Sequence, residues 1–416
     1  MRILIVSQYF WPENFRINDL ALALKEKGHT VTVLTGMPNY PAGKVYEGYR
    51  WRNKRRDMMR GVPIVRVPLF VRRESKSWHL LLNYFSFALS GCLFGPWLLR
   101  KQKFDVVFTY EVSPVTVGIP AILISRLKNA PMLFWVQDLW PEVLSATGAI
   151  NSKKILFIVG YMVKKIYHAC DHILVQSKGF VEPVMKSGAG REKVSYFPNW
   201  AETLYQPMVL EATAKERTEV SSTGFVVMFA GNLGAAQSLE TIIKAAVLLK
   251  DKNIHWVFLG DGRRRDWLVA EVESKQLHNV RVLGSRPIDT MPRYFSLADA
   301  MLVTLNDDPV IAMTIPGKVQ SYLACGRPII GALDGSGADV ISESGAGYSV
   351  SSGDYEGLAN AVLKMSMASV ADLQEMGKCA LSYYGDNFDR DTLINQLDGW
   401  MHQMVRVEND KFKAKH

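Results

Sequence analysis

The sequence has few cysteines and no pattern that would pair them. Its four cysteines, Cys92, Cys170, Cys325 and Cys379, lie far apart and form no Cys-x-x-Cys motif. This distribution argues against a zinc site or a secreted disulfide framework and is typical of a reducing compartment. The first residues also lack the basic segment and cleavage site of a signal peptide, so we expect an initial strand and a cytoplasmic protein.

Familiar nucleotide-binding fingerprints are missing as well. The sequence contains neither a Gly-x-Gly-x-x-Gly fingerprint nor a Walker motif, so nicotinamide and NTPase functions have no support. What is present is a globular composition, with 48% hydrophobic and 21% charged residues in 416 positions. That length is enough for two or three domains.

The positive charge is concentrated in the first half of the chain. Residues 1–200 carry 28 Lys and Arg against 13 Asp and Glu, whereas residues 201–416 carry 21 against 27. This asymmetry suggests two domains with different partners. The basic half could meet anionic lipid, nucleic acid or a phosphorylated substrate, and charge alone does not choose between them.

Short apolar runs alternate with helical stretches in both halves. Such alternation predicts parallel sheets covered by helices on both faces, that is, two doubly wound α/β domains. We place the first domain at 1–204 and the second at 205–387, with a final amphipathic helix at 388–405 that could pack back on the first. The predicted strands are Arg2–Phe10, Thr30–Thr35, Pro63–Val67, Asp105–Thr109, Met132–Val136, His172–Gln176 and Val194–Phe197, then Phe225–Ala230, His255–Leu259, Val280–Leu283, Ala300–Thr304, Pro328–Ala332 and Gly347–Val350.

Three turns of the second half resemble phosphate-binding turns. They are Phe229–Gly234, Gly260–Gly262 and Thr314–Lys318, and each leads into a predicted helix. Ligands of doubly wound sheets lie where strands end and helices begin, and the free N–H groups there favour a diphosphate. One glycine-rich turn alone is often only structural, because tight turns require glycine.

The order of several motifs resembles a known family. The stretches Ser7–Arg16, Gly28–Val31, Pro38–Pro41, Gln137–Glu142 and Phe197–Trp200 are similar to a bacterial branch of the GT4 glycosyltransferases, and the likeness covers nearly the whole chain. That branch contains L-N-acetylfucosamine transferases of O-antigen and capsule assembly.

The resemblance implies a GT-B fold, two Rossmann-like domains facing a cleft. It also implies transfer of a sugar, N-acetyl-L-fucosamine or a related deoxy or amino sugar, from a nucleotide donor that is UDP-linked. The implied acceptor is a saccharide on a polyprenyl diphosphate at the inner face of the bacterial cytoplasmic membrane. No cofactor is implied beyond the nucleotide-sugar co-substrate.

The resemblance also suggests roles for residues of the first domain. Asp138 matches a position near the reacting sugar, where it would orient the acceptor hydroxyl or take its proton. The alternative interpretation is an N-cap for the following segment. Asn14 and Arg16 follow the first strand and could approach the donor phosphates, although Arg16 could equally be a solvated residue at a helix start.

In the second domain the sequence departs from the family pattern. Family members place Arg after the glycine corresponding to Gly231 and Lys five residues later, where this chain has Asn232 and Gln237. Arg265 or Lys318 would then supply the missing charge. The two glutamates of the family's Glu-x7-Glu signature are replaced by Met313 and Ser321, and Ser321 could still bind a ribose hydroxyl. Donor binding therefore falls more heavily on the backbone of Thr314, Ile315, Pro316, Gly317 and Lys318.

No Asp-x-Asp motif occurs where the donor would bind, since Asp307 and Asp308 are adjacent. We therefore predict no essential divalent metal.

One apolar stretch, Trp78–Leu99, is nearly long enough to span a membrane. Three interpretations remain open: a spanning helix, a buried domain helix, or a helix lying in an anionic membrane surface. A run of basic residues precedes it, namely Arg50, Arg52, Lys54, Arg55, Arg56, Arg60, Arg72, Arg73 and Lys76. We expect no nucleic-acid partner, since no binding module is recognised.

Two other functions remain as alternatives on the same fold. One is a sugar-nucleotide epimerase, which would need carboxylates and a histidine around the sugar. The other is a non-catalytic subunit that binds a nucleotide-sugar, suggested by the departures at Asn232, Gln237, Met313 and Ser321.

Overall fold

The chain folds into two α/β units, each with its own sheet. The computed structural model describes residues 1–40, 43–71, 77–146, 148, 150, 152–220 and 223–415. One unit comprises Met1–Pro198 with Asp391–His416, and the other comprises Asn199–Arg390. The division falls a few residues from the predicted positions at 204 and 387. Both units have the Rossmann-like architecture that the strand–helix alternation predicts.

Unit 1 contains an eight-stranded sheet in the order β3-β4-β2-β1-β5-β6-β7-β8. All pairs are parallel except β3 with β4. The chain builds outward from β1 and then returns to add β5 on its other side, so the strand order reverses between β1 and β5. The strands are β1 (Arg2–Val6), β2 (Thr30–Gly36), β3 (Arg56–Met59), β4 (Val62–Val67), β5 (Val106–Glu111), β6 (Met132–Val136), β7 (His172–Val175) and β8 (Val194–Tyr196).

The helices of unit 1 cover its sheet, whose central strands are almost wholly apolar because both faces are buried. Strand β3 is not among the predicted strands, since its four residues carry two charges and lie at the sheet edge. The helices are α1 (Arg16–Glu26), α2 (Trp51–Lys54), α3 (Ser77–Leu98), α4 (Gly118–Lys128), α5 (Glu142–Ala146), α6 (Lys153–Ala169) and α7 (Val181–Lys186).

Unit 2 contains a six-stranded parallel sheet in the order β11-β10-β9-β12-β13-β14. Its strand order reverses between β9 and β12. The strands are β9 (Phe225–Ala230), β10 (Ile254–Leu259), β11 (Val280–Gly284), β12 (Ala300–Thr304), β13 (Ile329–Ala332) and β14 (Gly347–Val350). The helices are α8 (Lys215–Val220), α9 (Leu239–Leu248), α10 (Arg265–Ser274), α11 (Met291–Phe295), α12 (Pro309–Ala312), α13 (Gly317–Ala324), α14 (Ser336–Glu343), α15 (Tyr355–Ser366) and α16 (Val370–Phe388).

The last helix, α17 (Arg390–Lys415), returns to unit 1. It buries Leu393, Ile394, Leu397 and Met401. On the same helix, the carboxylate of Asp398 lies 2.9 Å from Nε2 of His29, at the start of β2. The return of the chain therefore rests on an apolar face with a histidine–carboxylate contact beside it.

We expect Leu397→Ala to lower the stability of unit 1 by about 2–5 kcal/mol, because a fully buried leucine leaves a cavity when truncated. Hydrogen exchange measured by mass spectrometry should then be faster in the strands of unit 1 and unchanged in those of unit 2. The exposed neighbour Gln396→Ala is the matched control. Unchanged protection of unit 1 in Leu397→Ala would show that α17 does not support it.

Candidate active site

The centre of unit 2 has the arrangement in which doubly wound sheets bind ligands. Strands β9 and β12 are neighbours at the point where strand order reverses. The segments that follow them, starting at Gly231 and Leu305, leave the sheet at its carboxyl edge. A crevice at such a reversal is the usual ligand position in open α/β sheets.

Glycines let the segments after β9 and β10 lie against each other. The N–H of Leu233 donates to the carbonyl of Asp261 at 2.8 Å. A Cβ added to Gly260 would fall 1.8 Å from the carbonyl oxygen of Gly231, and the φ of Gly260 is +140°. Only glycine fits there. The side chain of Asn232 lies over Gly262, whose added Cβ would come within 2.6 Å of its Oδ1.

Asn306 fixes the rest of this turn. It follows β12, and its side-chain amide donates to the carbonyl of Ala235 at 2.9 Å while its Oδ1 accepts from the N–H of Ser238 at 3.1 Å. The segment that carries Gln237 is thereby held against the end of β12. Asn306 is not among the predicted site residues, because nothing in its local sequence shows its distant partners.

Lys318 is positioned by a tyrosine one helical turn further on. The buried hydroxyl of Tyr322 donates to the carbonyl of Ala230 at 3.0 Å and accepts from the N–H of Ala230 at 3.1 Å. Residues four apart share a helix face, so this pairing also brings Lys318 to the end of β9. Its Nζ donates to Oε1 of Gln237 at 2.6 Å and lies 3.8 Å from the ring centroid of Phe229.

The surroundings of Lys318 do not compensate its charge. Gln237, Phe229 and the backbone of Gly231 are all neutral, and an added Cβ on Gly231 would lie 3.4 Å from the lysine Nζ. Burial therefore lowers the pKa of Lys318 to about 7. The structure thus brings together three predicted donor-binding residues, Gly231, Gln237 and Lys318, and within the described part of the chain no counter-charge lies beside the lysine ammonium group.

Other predicted residues of unit 2 lie in less distinctive surroundings. Arg265 is the first residue of α10, and its Nη1 is 3.8 Å from the exposed carboxylate of Asp266. Its neighbour Arg264 instead pairs with Glu240 at 2.6 Å and lies over the Trp267 ring at 4.0 Å. A role for Arg265 in donor binding remains a prediction.

The segment before α13 supplies fewer backbone donors than predicted. The N–H and the hydroxyl of Thr314 both donate to the carbonyl of Ile311, at 3.0 and 2.7 Å. Pro316 has no N–H, so the expectation for these two residues is wrong. The first turn of α13 still presents the N–H groups of Gly317 and Lys318.

Ile315 and Ser321 are both buried. The Ser321 hydroxyl lies 3.4 Å from the carbonyl of Gly317 within its own helix. That contact is long, so Ser321 is not firmly committed to it. Its proposed bond to a ribose remains a prediction.

Asp138 lies at the carboxyl edge of the unit 1 sheet, just after β6. Its Oδ2 accepts from the hydroxyl of Ser113 at 2.6 Å. The next helix, α5, begins only at Glu142, so the N-cap interpretation of Asp138 is wrong. The carboxylate is instead fixed by the segment that follows β5.

Glu111, the last residue of β5, holds the turn that carries Asp138. Its Oε2 accepts from the N–H groups of Gln137 and Asp138, each at 3.3 Å. Burial, and then the nearby Asp138, raise the pKa of Glu111 well above its usual range. Burial also raises the pKa of Asp138, opposed by the Ser113 hydroxyl. Glu111 was not among the predicted site residues. The signal in the sequence is an acid at the end of the strand-like run Val106–Glu111, which marks a candidate functional residue.

The segment after β1 is organised by another buried acid. Oε1 of Glu13 accepts from the N–H groups of Asn39 and Tyr40, both at 2.7 Å, and burial raises the pKa of Glu13 to about 7. Beside it, Asn14 is exposed and Arg16 begins α1. Their approach to a donor remains a prediction. Pro41, part of one motif, lies outside the described residues.

Asp308, which follows β12 in unit 2, has a structural role. Oδ1 of Asp308 accepts from the N–H groups of Val310 and Ile311 and so caps α12. Across the residues that the structure describes, no group of three or more His, Cys, Asp or Glu side chains is placed to hold a metal ion.

Comparison with known proteins agrees with this two-unit architecture. A model of the "Glycosyl transferase 4-like domain" matches residues 14–200, and one of "Glycosyl transferases group 1" matches residues 224–367. The chain belongs to the GT4-type glycosyltransferases. It is 26% identical over 338 residues to WcaI of Escherichia coli, a protein named for colanic acid biosynthesis, covering 78% of this chain and 82% of that protein.

Two further proteins are similar to this chain, one in sequence and one in structure. The glycosyltransferase is 25% identical over 295 residues to WbjE of Pseudomonas aeruginosa, named a glycosyltransferase, covering 70% of this chain and 72% of that one. The structure of HepE from Anabaena, solved with UDP and glucose, matches with a TM-score of 0.70 at 14% identity, over 97% of this chain and 99% of that one. These matches show the GT-B fold.

Helix α3 of the glycosyltransferase has one apolar face toward its own unit and one toward solvent. Tyr84, Phe87 and Ala88 are buried, and Nε2 of Gln8, after β1, donates to Oδ1 of Asn83 at 2.7 Å. The segment Trp78–Leu98 is apolar enough to cross a membrane by length and composition, with 39% of its most apolar window buried. Arg72, Arg73 and Lys76 of the basic run lie outside the described residues. The helix is therefore partly exposed and not fully buried, and its contact with a membrane remains a prediction.

Replacing Glu111 should change how stability depends on pH. An acid whose pKa is raised in the folded state stabilises below its unfolded pKa, and that stability is lost as pH rises toward the folded value. Relative to the wild type, Glu111→Gln should therefore melt at a comparatively higher temperature at pH 8 than at pH 5. Glu182→Gln, on an exposed side chain, is the control. The same melting difference at both pH values would contradict the assignment.

Proposed function

We propose that this glycosyltransferase moves a sugar from a nucleoside diphosphate donor held by unit 2 to a lipid-linked saccharide during bacterial polysaccharide assembly. The observation that carries the proposal is the uncompensated Lys318 beside the Gly231 turn. The names of WcaI and of HepE with its UDP support a polysaccharide pathway and a uridine nucleotide. The motif likeness described above suggests N-acetyl-L-fucosamine or a related sugar.

In this proposal the donor diphosphate lies against the turn at Gly231 and Asn232, where the N–H of Gly231 already donates to the carbonyl of Leu259 and the backbone donor is the N–H of Asn232, and against the first turn of α13. Lys318 takes up a proton as the diphosphate binds, because an adjacent anion favours the charged form. The bond between the anomeric carbon and the diphosphate oxygen then breaks. Backbone N–H groups and the Lys318 ammonium stabilise the charge that develops on the leaving group.

Asp138 acts on the acceptor. The acceptor oxygen forms the new bond to the anomeric carbon, and its proton passes to the Asp138 carboxylate or to the departing diphosphate. A raised pKa makes Asp138 a better base than an ordinary aspartate near neutral pH, because catalytic efficiency is greatest when the pKa is near the working pH. Proton transfer at this position needs no metal, and we propose that the reaction is metal-independent.

The acceptor's lipid places the reaction at a membrane. We propose a cytoplasmic protein, peripheral on the inner face of the bacterial cytoplasmic membrane, with the exposed face of α3 and the basic residues of unit 1 against anionic lipid. An anionic membrane surface attracts a protein surface on which exposed apolar side chains lie beside cationic ones.

The affinity for UDP should fall as pH rises above 7. Protonated Lys318 binds the diphosphate, so proton uptake accompanies binding, and the Kd should rise on the order of tenfold between pH 7 and 8.5. Lys318→Ala should weaken binding at pH 7 by at least about tenfold and remove this pH dependence. Lys275→Ala, at the far end of α10, is the control. If calorimetry shows that the wild-type Kd for UDP does not depend on pH, Lys318 does not bind the diphosphate.

Transfer itself can be tested by nucleoside diphosphate release. We expect release only when a lipid-linked acceptor is present, and a loss of about a hundredfold or more in kcat for Asp138→Asn with unchanged UDP affinity. Release without any acceptor, or no release with any donor, would contradict the transferase proposal.

Activity should persist in EDTA; inactivation that magnesium or manganese reverses would show a metal requirement.

A further inference from the structure

Unit 1 contains a cavity that the reaction described above does not use. It is a wide-open groove with a volume of about 600 Å³ at the carboxyl ends of β2 and β4, the edge of the sheet that also carries Asp138. This volume lies within the range of small-ligand sites. Its walls include Met37, Val45, Tyr49, Trp51, Leu69 and Val71.

One wall of the cavity is bonded to α3. The hydroxyl of Ser90 donates to the carbonyl of Pro68, and Oγ of Ser86 accepts from the N–H of Phe70 at 2.7 Å. The amide of Asn83 donates to the carbonyl of Phe70. The segment after β4 is therefore fixed along the helix by three side chains.

The opposite wall also rests on α3. The ring of Trp51 lies 5.2 Å from that of Phe94, and its Nε1 donates to the carbonyl of Arg66 at 3.1 Å. Both walls are thus held by the helix and its neighbouring strand. The space lies between the segment that leads into α2 and the segment that follows β4, and both segments rest on the core of unit 1 through these contacts.

The outer face of α3 continues this apolar surface. Six large apolar side chains follow one another at spacings of three or four residues, and each is 42–63% exposed. Phe94, which supports the cavity, lies between the last two of them. They are Trp78, Leu82, Phe85, Leu89, Leu93 and Trp97.

The rim of the cavity carries more positive than negative charge. Arg50 and Glu47 both line it and are exposed, and the exposed Arg52 and Arg55 lie two and five residues after Arg50, next to the lining. The hydroxyl of Tyr46 on the same rim already donates to the carbonyl of Tyr40 at 2.8 Å. An apolar and aromatic interior with guanidinium groups at the entrance suits a hydrocarbon chain that ends in a phosphate better than it suits a free saccharide.

We propose that this cavity, which we call the anchor pocket, binds the hydrocarbon segment next to the phosphate of the lipid that carries the acceptor. The inference rests on the proposed function. The chain would enter between Trp51 and Leu69 and leave its phosphate at Arg50. The saccharide would then extend along the carboxyl edge of the sheet.

Binding of farnesyl diphosphate below its micellar concentration tests the pocket without any donor. Measured by calorimetry with the diphosphate site of unit 2 saturated by UDP, it should bind the full-length protein at least tenfold more tightly than pyrophosphate. Val45→Asp places a negative charge on an exposed part of the lining and should reduce this affinity tenfold or more. Trp51→Ala should do the same. Trp97→Ala, on the outer face of α3, is the matched control and should leave affinity unchanged.

Two results would overturn the anchor pocket. Equal binding of pyrophosphate and farnesyl diphosphate would indicate a cationic surface only. Equal losses in Trp97→Ala and Val45→Asp would indicate adsorption along α3. UDP binding, which unit 2 provides, serves as the folding check for each variant. Neither binding measurement uses sugar transfer. The transferase proposal can therefore be confirmed while the anchor pocket is contradicted, and the anchor pocket can be confirmed while the transferase proposal is contradicted.

Discussion

The proposed donor site of unit 2 depends on one buried hydroxyl. Tyr322 exchanges two hydrogen bonds with the backbone of Ala230, the last residue of β9. A buried phenol needs such partners, and this pairing sets both the height and the rotation of α13 over the sheet. Lys318 follows from it, because the lysine lies on the same face one turn earlier. The low pKa of Lys318 is in turn a consequence of where Tyr322 holds its helix.

The two units shape their carboxyl edges by different means. Unit 2 uses glycine, which lets backbone approach backbone after β9 and β10. Unit 1 uses buried carboxyl groups, with Glu13 binding the segment after β2 and Glu111 binding the turn of Asp138. Glycines at the end of the strands leave room for a ligand's phosphates, whereas buried carboxyl groups with raised pKa values can hold protons. That division matches the roles proposed for donor and acceptor.

Much of the fold could be predicted from the sequence, because apolar runs of five or six residues mark buried parallel strands. Met132–Val136 and Phe225–Ala230 are found at their predicted bounds. Lys318 could be predicted since it lies at the start of a helix after a Pro-Gly pair. Glu111 and Asn306 could not, because their partners are 26 and 68 to 71 residues away in the chain. Thr314 was wrongly predicted, because a local turn uses its donors.

Helix α3 packs against unit 1 with one face and exposes apolar side chains on the other. Its inner positions, such as Asn83 and Ser90, hold the segments around the sheet, while its outer side chains are about half exposed. Polar substitutions on the outer face should therefore disturb the interior less than substitutions at the inner positions. If the proposed membrane contact holds, adaptation to a different lipid composition needs changes in this stripe alone, and the hydrogen bonds of the inner positions are kept.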